Sequence, residues 1–203
     1  MTPPLWVGCH PDNFRVGRNG AAAKYVVIHL TAGGMPDGWF GMGLAQRQAA
    51  FNAQAAAQAR STGRPVTPIH AEVSSANFGV SKFGERKMYV KEADTAFHAG
   101  ISPRLAQLYP PTVPWYTLGM DVNAASFGIE HEGVEADIWP DAQVRASAEL
   151  IAALATRYNI PIDRTHVVGH HEIWAGHTCP GPHCPLDRLI QMAQQIQGAQ
   201  PLS

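Results

Sequence analysis

The chain has 203 residues, a length that suits one domain with a single hydrophobic core. It carries 15 Lys and Arg residues against 16 Asp and Glu residues, so that no basic surface indicates nucleic acid as a partner. We expect a monomer that binds a neutral glycan or peptide.

The N-terminal sequence MTPPLWVGCHPD lacks the positive region and the long apolar core of a secretory signal. No run of the chain approaches the 18 or so apolar residues that a membrane span requires. We therefore expect synthesis in the cytoplasm without a Sec signal, and no membrane insertion. The odd number of cysteines, 3, indicates metal binding and a free thiol rather than a disulfide framework.

The chain divides into three predicted segments. Residues 1–23 are rich in Pro, Gly and Asn and show no clear period, which indicates an irregular arm packed on the domain. Residues 24–198 contain alternating strand and helix patterns, which predict one α/β domain with a central mixed β-sheet flanked by helices. Residues 199–203 form a short tail.

Apolar runs predict the strands of this sheet. The first, at residues 24–30, has four β-forming residues in a row without alternation, which is typical of a strand buried on both faces. Later strands are predicted at residues 65–73, 76–90, 123–132 and 164–168, the second of these folded as a hairpin.

Three helices are predicted between the strands. Residues 44–60 are rich in alanine and contain neither Gly nor Pro, which favours a helix by propensity alone. Residues 143–159 repeat apolar side chains at three- and four-residue spacing, as expected for a helix packed on a sheet. The last helix begins at Pro185 and ends at Gly198.

Two long loops connect these elements. In the first, residues 31–43, Trp39 either stacks on a glycan or anchors the loop. The second, residues 101–118, contains four prolines, and we expect it to lie beside a ligand groove.

The stretch at residues 167–187, VVGHHEIWAGHTCPGPHCPLD, concentrates four histidines and two of the 3 cysteines. Zinc binds imidazole nitrogen and thiolate sulfur, and a catalytic zinc has three protein ligands and one open position. His170 and Cys179 supply two ligands from this stretch. His29, at the end of the buried strand at residues 24–30, is the best candidate for the third because that strand brings it to the edge of the sheet.

Other arrangements of the same residues are open at this point. A zincin motif would need a histidine four positions after His171, and Ala175 occupies that position. A closed structural site could use His177, Cys179, His183 and Cys184, although adjacent ligands point apart in most backbone conformations. The remaining alternative is a loop of histidines that bind no metal.

Four segments carry a family resemblance: YVVIHLTAGG, TAFHAG, SFGIEHEG and VVGHHEIWAGHTCPGPHCPLDRL. Their order and rough spacing resemble those of the zinc-dependent N-acetylmuramoyl-L-alanine amidases, of the type that includes phage endolysins and the peptidoglycan recognition proteins. The resemblance spans residues 25–189, and the last two segments are the most specific.

The resemblance implies an amidase-like α/β fold that uses one Zn²⁺ per chain to cleave the bond between N-acetylmuramic acid and L-alanine in peptidoglycan. The family's ligands match His29, His170 and Cys179. Its catalytic glutamate matches Glu130, which would accept a proton from the attacking water; a surface carboxylate at a strand end is the alternative. His177 matches a position where the family has a cationic or hydrogen-bonding residue, which implies an oxyanion stabiliser.

Further residues are expected around the reacting groups. His98, in TAFHAG, matches a histidine in the wall of the family's groove and is expected to contact substrate; a structural histidine is the alternative. Asn77 stands where the family often has an aromatic residue or a histidine, and we expect it to hydrogen-bond the stem peptide. His171 and Glu172 are expected to support the ligands, because metal-binding imidazoles usually donate their second N–H to a carboxylate or carbonyl.

Two other functions share this pattern. Some recognition proteins of this type bind peptidoglycan without cleaving it, and a zinc peptidase acting on free peptides would use the same ligands. The joint presence of Cys179, both histidine ligands and Glu130 favours the enzyme. Without a Sec signal, the resemblance implies a phage endolysin that is made in the host cytoplasm and acts on the cell wall after release.

Overall fold

Short strands and three long helices follow one another along residues 2–199, the part of the chain that the computed structural model describes. The strands are β1 (Leu5–Trp6), β2 (Phe14–Arg15), β3 (Tyr25–Leu30), β4 (Phe78–Val80), β5 (Arg86–Met88), β6 (Thr95–Ala96), β7 (Ser126–His131) and β8 (Val167–Gly169). The α-helices are α1 (Asp37–Phe40), α2 (Leu44–Thr62), α3 (Pro103–Leu108), α4 (Val122–Ala125), α5 (Asp141–Tyr158), α6 (His170–Ile173) and α7 (Leu186–Gly198).

Six strands form a mixed central sheet in the order β1-β5-β4-β7-β3-β8. The neighbours β4, β7, β3 and β8 run parallel to one another, and β5 is antiparallel to β4. The carboxyl ends of the four parallel strands therefore meet at one edge of the sheet. This architecture confirms the predicted single α/β domain with helices on a mixed sheet.

The alternation of side chains along β3 separates two hydrophobic cores. Val26 and Ile28 belong to the larger core, which includes residues of α5 and α7. Val27 points to the opposite face and joins a smaller core built from residues 99–122, Val168 and α6. His29 follows Val27 by two residues in the strand, so its side chain points to the same face of the sheet as that of Val27.

The three predicted long helices and the hairpin at residues 76–90 are confirmed with small shifts at their ends. The strand predicted at residues 24–30 is also confirmed, as β3. Within residues 2–199, no helix is both long enough and apolar enough to cross a bilayer.

The N-terminal arm is more regular than the sequence predicts. β1 extends the central sheet beside β5, and β2 pairs with β6 in a separate two-stranded sheet. Each strand has only two residues, which is too short to leave a periodic pattern in the sequence. Of the predicted tail at residues 199–203, residues 200–203 lie outside the described part of the chain.

The strand predicted at residues 65–73 is wrong. This segment is irregular and mostly exposed, and two of its positions, Pro65 and Pro68, lack a backbone N–H for a sheet ladder. The side chain of Gln48 on α2 instead donates to the Ile69 carbonyl at 3.1 Å and accepts from the Ala71 N–H at 3.0 Å. Contacts with a helix thus replace pairing with a strand.

The strand predicted at residues 164–168 lies further along the chain, at β8. The carboxylate of Asp163 accepts from the backbone N–H groups of Thr165 and His166 at 2.9 and 3.0 Å. Aspartate favours such turns, and this one delays the start of the strand to Val167.

The predicted loop at residues 101–118 contains α3, whose N-terminus is capped by Ser102 and has Pro103 in its first turn. The loop packs on the second face of the sheet, where the Trp115 ring stacks on Tyr25 with centroids 3.8 Å apart. Its residues do not line the cavities of the site described below, so that the predicted position beside the groove is wrong.

One buried cation holds the loop at residues 36–40 against the segment at residues 72–74. Arg47 on α2 is 0% exposed, and its guanidinium donates to the carbonyls of Trp39, Glu72 and Ser74 and to the Ser74 hydroxyl at 2.9–3.2 Å. The guanidinium carbon also lies 4.6 Å from the centroid of the Trp39 ring. Because the hydrogen bonds and the ring contact of Arg47 fix Trp39, they shape the wall of a groove that lies beside the edge of the sheet.

We predict that Arg47→Met destabilises the protein, since the methionine would leave several half-buried carbonyls without donors. The expected loss in the free energy of unfolding is about 2–4 kcal/mol. Urea unfolding followed by circular dichroism measures it. Arg60→Met, an exposed position on the same helix, is the control and should change stability by less than about 0.5 kcal/mol. Equal effects of the two substitutions would contradict the structural importance of the Arg47 hydrogen bonds.

Candidate active site

Three potential metal ligands meet at the carboxyl edge of the parallel strands. One ligand atom from each of His29, His170 and Cys179 lies within 4.8 Å of the others. His29 is near the end of β3, and His170 is the first residue of α6, directly after the neighbouring strand β8. Cys179 lies in the loop between α6 and α7. The fold thus brings together the ligand set that the sequence predicts.

The spacing of these atoms suits zinc. The Cys179 sulfur is 3.9 Å from Nδ1 of His29. Tetrahedral zinc with Zn–S of about 2.3 Å and Zn–N of about 2.0–2.1 Å would place these two atoms about 3.6 Å apart. This pair of atoms is therefore within a few tenths of an ångström of the tetrahedral separation, and His170 offers a third donor in the same cavity.

The closed structural site from four loop residues is not formed. Among residues 2–199, the single group of three or more His, Cys, Asp and Glu side chains close enough to share a metal ion is the set of His29, His170 and Cys179. His183 is exposed. Cys184 is half-buried and packs against the larger core. The structure therefore favours three protein ligands with an open coordination position.

Burial determines the charge state of these groups. Desolvation lowers the pKa of His170 to about 3 and lowers that of His29 well below its ordinary value, so that both imidazoles are neutral at pH 7. It raises the pKa of the Cys179 thiol to about 12, although the sulfur accepts the Leu30 N–H at 3.3 Å. The thiolate therefore needs a bound cation, and metal binding would release one proton.

Glu130 lies beside the candidate ligands with an unpaired carboxyl group. It is the register partner of His29 on the neighbouring strand β7, so the two side chains emerge side by side on the same face. Its Oε2 is buried without a hydrogen-bond partner in the described part of the chain. Desolvation raises the pKa of Glu130 to about 7. A carboxyl group with these properties can accept and return a proton near neutral pH.

Glu130 and His98 connect two adjoining cavities. The first, of about 390 Å³, contains the three candidate ligands and His177. The second, of about 540 Å³, is a groove walled by residues 30–40, 74–75 and 97–98, including Trp39. The residues at 74–75 and Phe97 were not predicted from the sequence. The two serines lie in no motif and reach the groove through long-range packing, whereas Phe97 lies in the TAFHAG segment beside His98, a signal that could have identified it.

His177 lies in the smaller cavity together with the three candidate ligands. It is exposed, and its ring stacks on His170 at 4.7 Å and packs edge-on against Trp174 at 4.3 Å between centroids. Desolvation lowers the pKa of His177. These contacts orient the ring while leaving it accessible to a ligand.

Trp39 lines the groove but is also anchored. Its indole N–H donates to the Ser74 hydroxyl at 3.3 Å, and its ring packs against Arg47 and Phe51. Anchoring of the loop is therefore observed. Stacking of Trp39 on a substrate glycan stays a prediction.

His98 lies between the groove and the candidate ligand His29. Nδ1 of His98 is 3.1 Å from Nε2 of His29, and Nε2 of His98 is 3.4 Å from the Ser126 hydroxyl. Desolvation lowers the pKa of His98 to about 3. Both ring nitrogens have partners inside the protein, and contact between His98 and substrate stays a prediction.

The prediction that Asn77 contacts substrate is wrong. Asn77 is 0% exposed, and its side chain accepts from the Gly128 N–H at 3.2 Å and donates to the Lys91 carbonyl at 3.4 Å. These bonds connect β7 to the chain after β5. The residue maintains the sheet and has no surface for a peptide.

The two predicted supporting residues act differently. His171 contacts the backbone of Cys179, with its own N–H 2.8 Å and its Nδ1 3.2 Å from the Cys179 carbonyl. Glu172 accepts the Gly169 N–H at 2.7 Å and pairs with Arg164 at 3.0 Å. Glu172 therefore caps the helix that presents His170, and the prediction that it bonds a ligand imidazole is wrong.

We predict that Glu130→Gln stabilises the metal-free protein at high pH. The native protein holds the Glu130 proton up to about pH 7, whereas an unfolded glutamate releases it near 4.5. Between these values the native state binds more protons, so wild-type stability falls as pH rises. The glutamine variant avoids this loss, and its advantage should grow from near zero at pH 4 to roughly 1–3 kcal/mol at pH 8.

Urea unfolding with a chelator, at pH values between 4 and 8, measures this difference. Glu85→Gln, at an exposed position of the hairpin, is the matched control. An advantage of Glu130→Gln that stays constant across the pH range would show that the carboxyl group is hydrated or paired.

Comparison with known proteins places this chain in a family. The sequence profile described as N-acetylmuramoyl-L-alanine amidase matches residues 19–182. No curated protein sequence matches the chain.

Several solved structures share the fold. A selenomethionine AmpD derivative is 24% identical with a TM-score of 0.64, covering 95% of each chain. The endolysin N-acetylmuramoyl-L-alanine amidase LysCS from Clostridium intestinale URNW is 18% identical with a TM-score of 0.56, covering 97% of this chain and 96% of that one. The catalytic domain of XlyA is 22% identical with a TM-score of 0.54, covering 95% of this chain and 99% of that one. The fold is therefore the amidase fold that the resemblance implies.

Because the family profile extends over most of the chain, from shortly before β3 to the loop that carries Cys179, the protein belongs to the N-acetylmuramoyl-L-alanine amidase family.

Proposed function

We propose that this amidase depends on a single zinc ion held by His29, His170 and Cys179. One observation carries the proposal: the three ligand atoms lie within 4.8 Å of one another in a cavity that also contains the carboxyl group of Glu130. Two neutral imidazoles and one thiolate would leave a net charge of about +1 on the site.

The substrate is the amide bond between N-acetylmuramic acid and L-alanine in peptidoglycan. A bound zinc ion supplies a Lewis acid that acidifies water and polarises the amide carbonyl. Glu130 accepts the proton from the attacking water and delivers it to the leaving amine. Burial raises the pKa of Glu130 in the metal-free protein, and a carboxyl group that serves first as base and then as acid works best with a pKa near the operating pH.

His177 is the proposed donor to the oxyanion. Its ring is held by His170 and Trp174 in the cavity of the ligands, and a neutral imidazole can still donate one hydrogen bond. The adjoining groove, with Trp39 and His98 in its walls, would hold the glycan or the stem peptide. We expect the scissile bond to lie where the two cavities meet, at Glu130.

The two other candidate functions are less consistent with the site. A module that only binds peptidoglycan has no need of a complete ligand set or of a carboxyl group with a raised pKa. A zinc peptidase acting on free peptides would share both features, and the chemistry of the products separates it from an amidase.

We further propose that the protein acts as an endolysin, which degrades the cell wall after release from the cytoplasm of the host of a phage. The support is the likeness of its fold over almost the whole chain to an amidase described as an endolysin. The family assignment supports peptidoglycan as the substrate.

We predict one zinc ion per chain, lost in Cys179→Ala and retained in Cys184→Ala. Both cysteines are half-buried, so each variant loses one similar thiol and the comparison shows which of the two cysteines binds the metal. Metal analysis after dialysis measures the zinc, and circular dichroism checks that secondary structure is retained. An empty site in Cys184→Ala together with a full site in Cys179→Ala would overturn the ligand assignment.

We predict that Glu130→Gln binds zinc normally but hydrolyses purified peptidoglycan about 10²–10⁴ times more slowly, the usual contribution of a general base. Wild-type digests should contain new L-alanine amino termini and no new reducing sugars, and intact cell walls should lose turbidity. Wild-type turnover by the variant would remove Glu130 from the mechanism. Cleavage within free peptides alone would favour the peptidase.

A further inference from the structure

Two side chains, those of His98 and Ser126, connect the candidate ligand His29 to a backbone carbonyl inside the protein. Nε2 of His29 lies 3.1 Å from Nδ1 of His98, and Nε2 of His98 lies 3.4 Å from the Ser126 hydroxyl. The Ser126 hydroxyl in turn lies 2.6 Å from the carbonyl of Val122. Every step is between buried or half-buried groups.

The direction of these hydrogen bonds follows from the group at the inner end. A carbonyl can only accept, so Ser126 donates its single proton to Val122 across the short distance of 2.6 Å. The serine oxygen is then free only to accept from Nε2–H of His98. A neutral imidazole carries one N–H, so Nδ1 of His98 must be the acceptor for Nε2–H of His29.

The direction of these hydrogen bonds determines which nitrogen of His29 can bind a metal ion. If Nε2 of His29 carries the proton, Nδ1 has a free lone pair, and Nδ1 is the nitrogen that faces the Cys179 sulfur at 3.9 Å. The hydrogen bonds of the protein thus select the tautomer that can bind a metal ion before any metal arrives. Metal-binding histidines usually have such a partner on their second nitrogen, and it orients the ring as well as fixing the proton.

The His98 ring is itself held in place by the surrounding backbone. The side-chain oxygen of Asn123 accepts the backbone N–H groups of His98 and Ala99 at 3.0 and 2.8 Å. The ring lies directly on Gly128 of β7, where an added Cβ would meet ring atoms at 2.5–2.8 Å. Only glycine at position 128 of β7 leaves room for the His98 ring.

We infer that His98 is a positioning residue that fixes the tautomer and orientation of His29 for metal binding. This inference rests on the proposed zinc site. It differs from the roles expected of His98 in substrate contact, because both ring nitrogens are used inside the protein.

The test compares His98→Leu with His98→Asn. The Oδ1 atom of asparagine can occupy nearly the place of Nδ1 and accept from His29, whereas leucine fills similar space without an acceptor. The dissociation constant for zinc, measured by competition with a chromophoric chelator, should rise 10- to 100-fold in His98→Leu, the usual scale for such partners. His98→Asn should stay within about threefold of wild type. In the cobalt-substituted proteins, the visible absorption bands should shift for leucine and be retained for asparagine.

If His98→Leu does not fold, a second pair of variants still tests the inference. Ser126→Ala removes the inner acceptor and should weaken zinc binding by roughly three- to tenfold. Ser81→Ala, at a buried serine of the hairpin whose hydroxyl accepts two N–H groups, should leave zinc affinity unchanged. Thermal unfolding of the metal-free variants checks that each is folded.

The outcomes separate the inference from the proposed function. Wild-type affinity in His98→Leu or in Ser126→Ala, or equal losses in folded His98→Leu and His98→Asn, would overturn the positioning role while leaving the zinc site standing. A wild-type protein that binds no zinc would overturn the proposed function itself, and the inference with it.

Discussion

The site depends on the in-register parallel pairing of β3 with β7. This pairing aligns His29 with Glu130 across the two central strands, so that a candidate metal ligand and a carboxyl group emerge side by side from one face of the sheet. β8 pairs with the other side of β3 and delivers His170 to the same edge. A slip of one residue in any of these strands would turn the side chains into the hydrophobic core. The position of the chemistry is therefore fixed by the same contacts that stabilise the fold.

Desolvation is the second constraint on the site. At pH 7 the three candidate ligands are neutral in the metal-free protein, because burial disfavours the charged form of each group, and the same effect raises the pKa of Glu130 to about 7. Such a site is costly to build, since its polar groups leave water without gaining full hydrogen bonding. A cation would compensate for this cost by giving the thiolate and the carboxylate a counter-charge. The stability of the domain and its activity would then be linked through the metal.

The sequence predicts those features that local pattern and ligand chemistry determine. The run at residues 24–30 has no alternation, which identified a strand buried on both faces and placed His29 at its end. The Ser102-Pro103 pair is a recognisable start of a helix, but the prolines that follow concealed α3. The strand expected at residues 65–73 failed because side chains of α2, far away in sequence, satisfy its backbone.

The supporting residues of the site were harder to predict. Asn77 and Glu172 are expected near the reacting groups, but the structure uses them for a sheet contact and a helix cap. His98 was expected to face the substrate, whereas its partners, His29 and Ser126, lie 69 and 28 residues away along the chain. Hydrogen bonds between such distant residues depend on tertiary packing, which a single sequence does not show. The residues that bind a metal can be predicted from ligand chemistry, but the residues that surround them are determined by the tertiary fold.

X-ray absorption at the zinc edge of the loaded wild-type protein tests the central claim most directly. The account predicts one sulfur at about 2.3 Å and two imidazole nitrogens at about 2.0–2.1 Å, with one further light atom completing four-coordination. A first shell with two sulfurs would show that Cys184 joins Cys179 in a closed structural site. A shell without sulfur would show that Cys179 is not a ligand, and either result would contradict the site described for His29, His170 and Cys179.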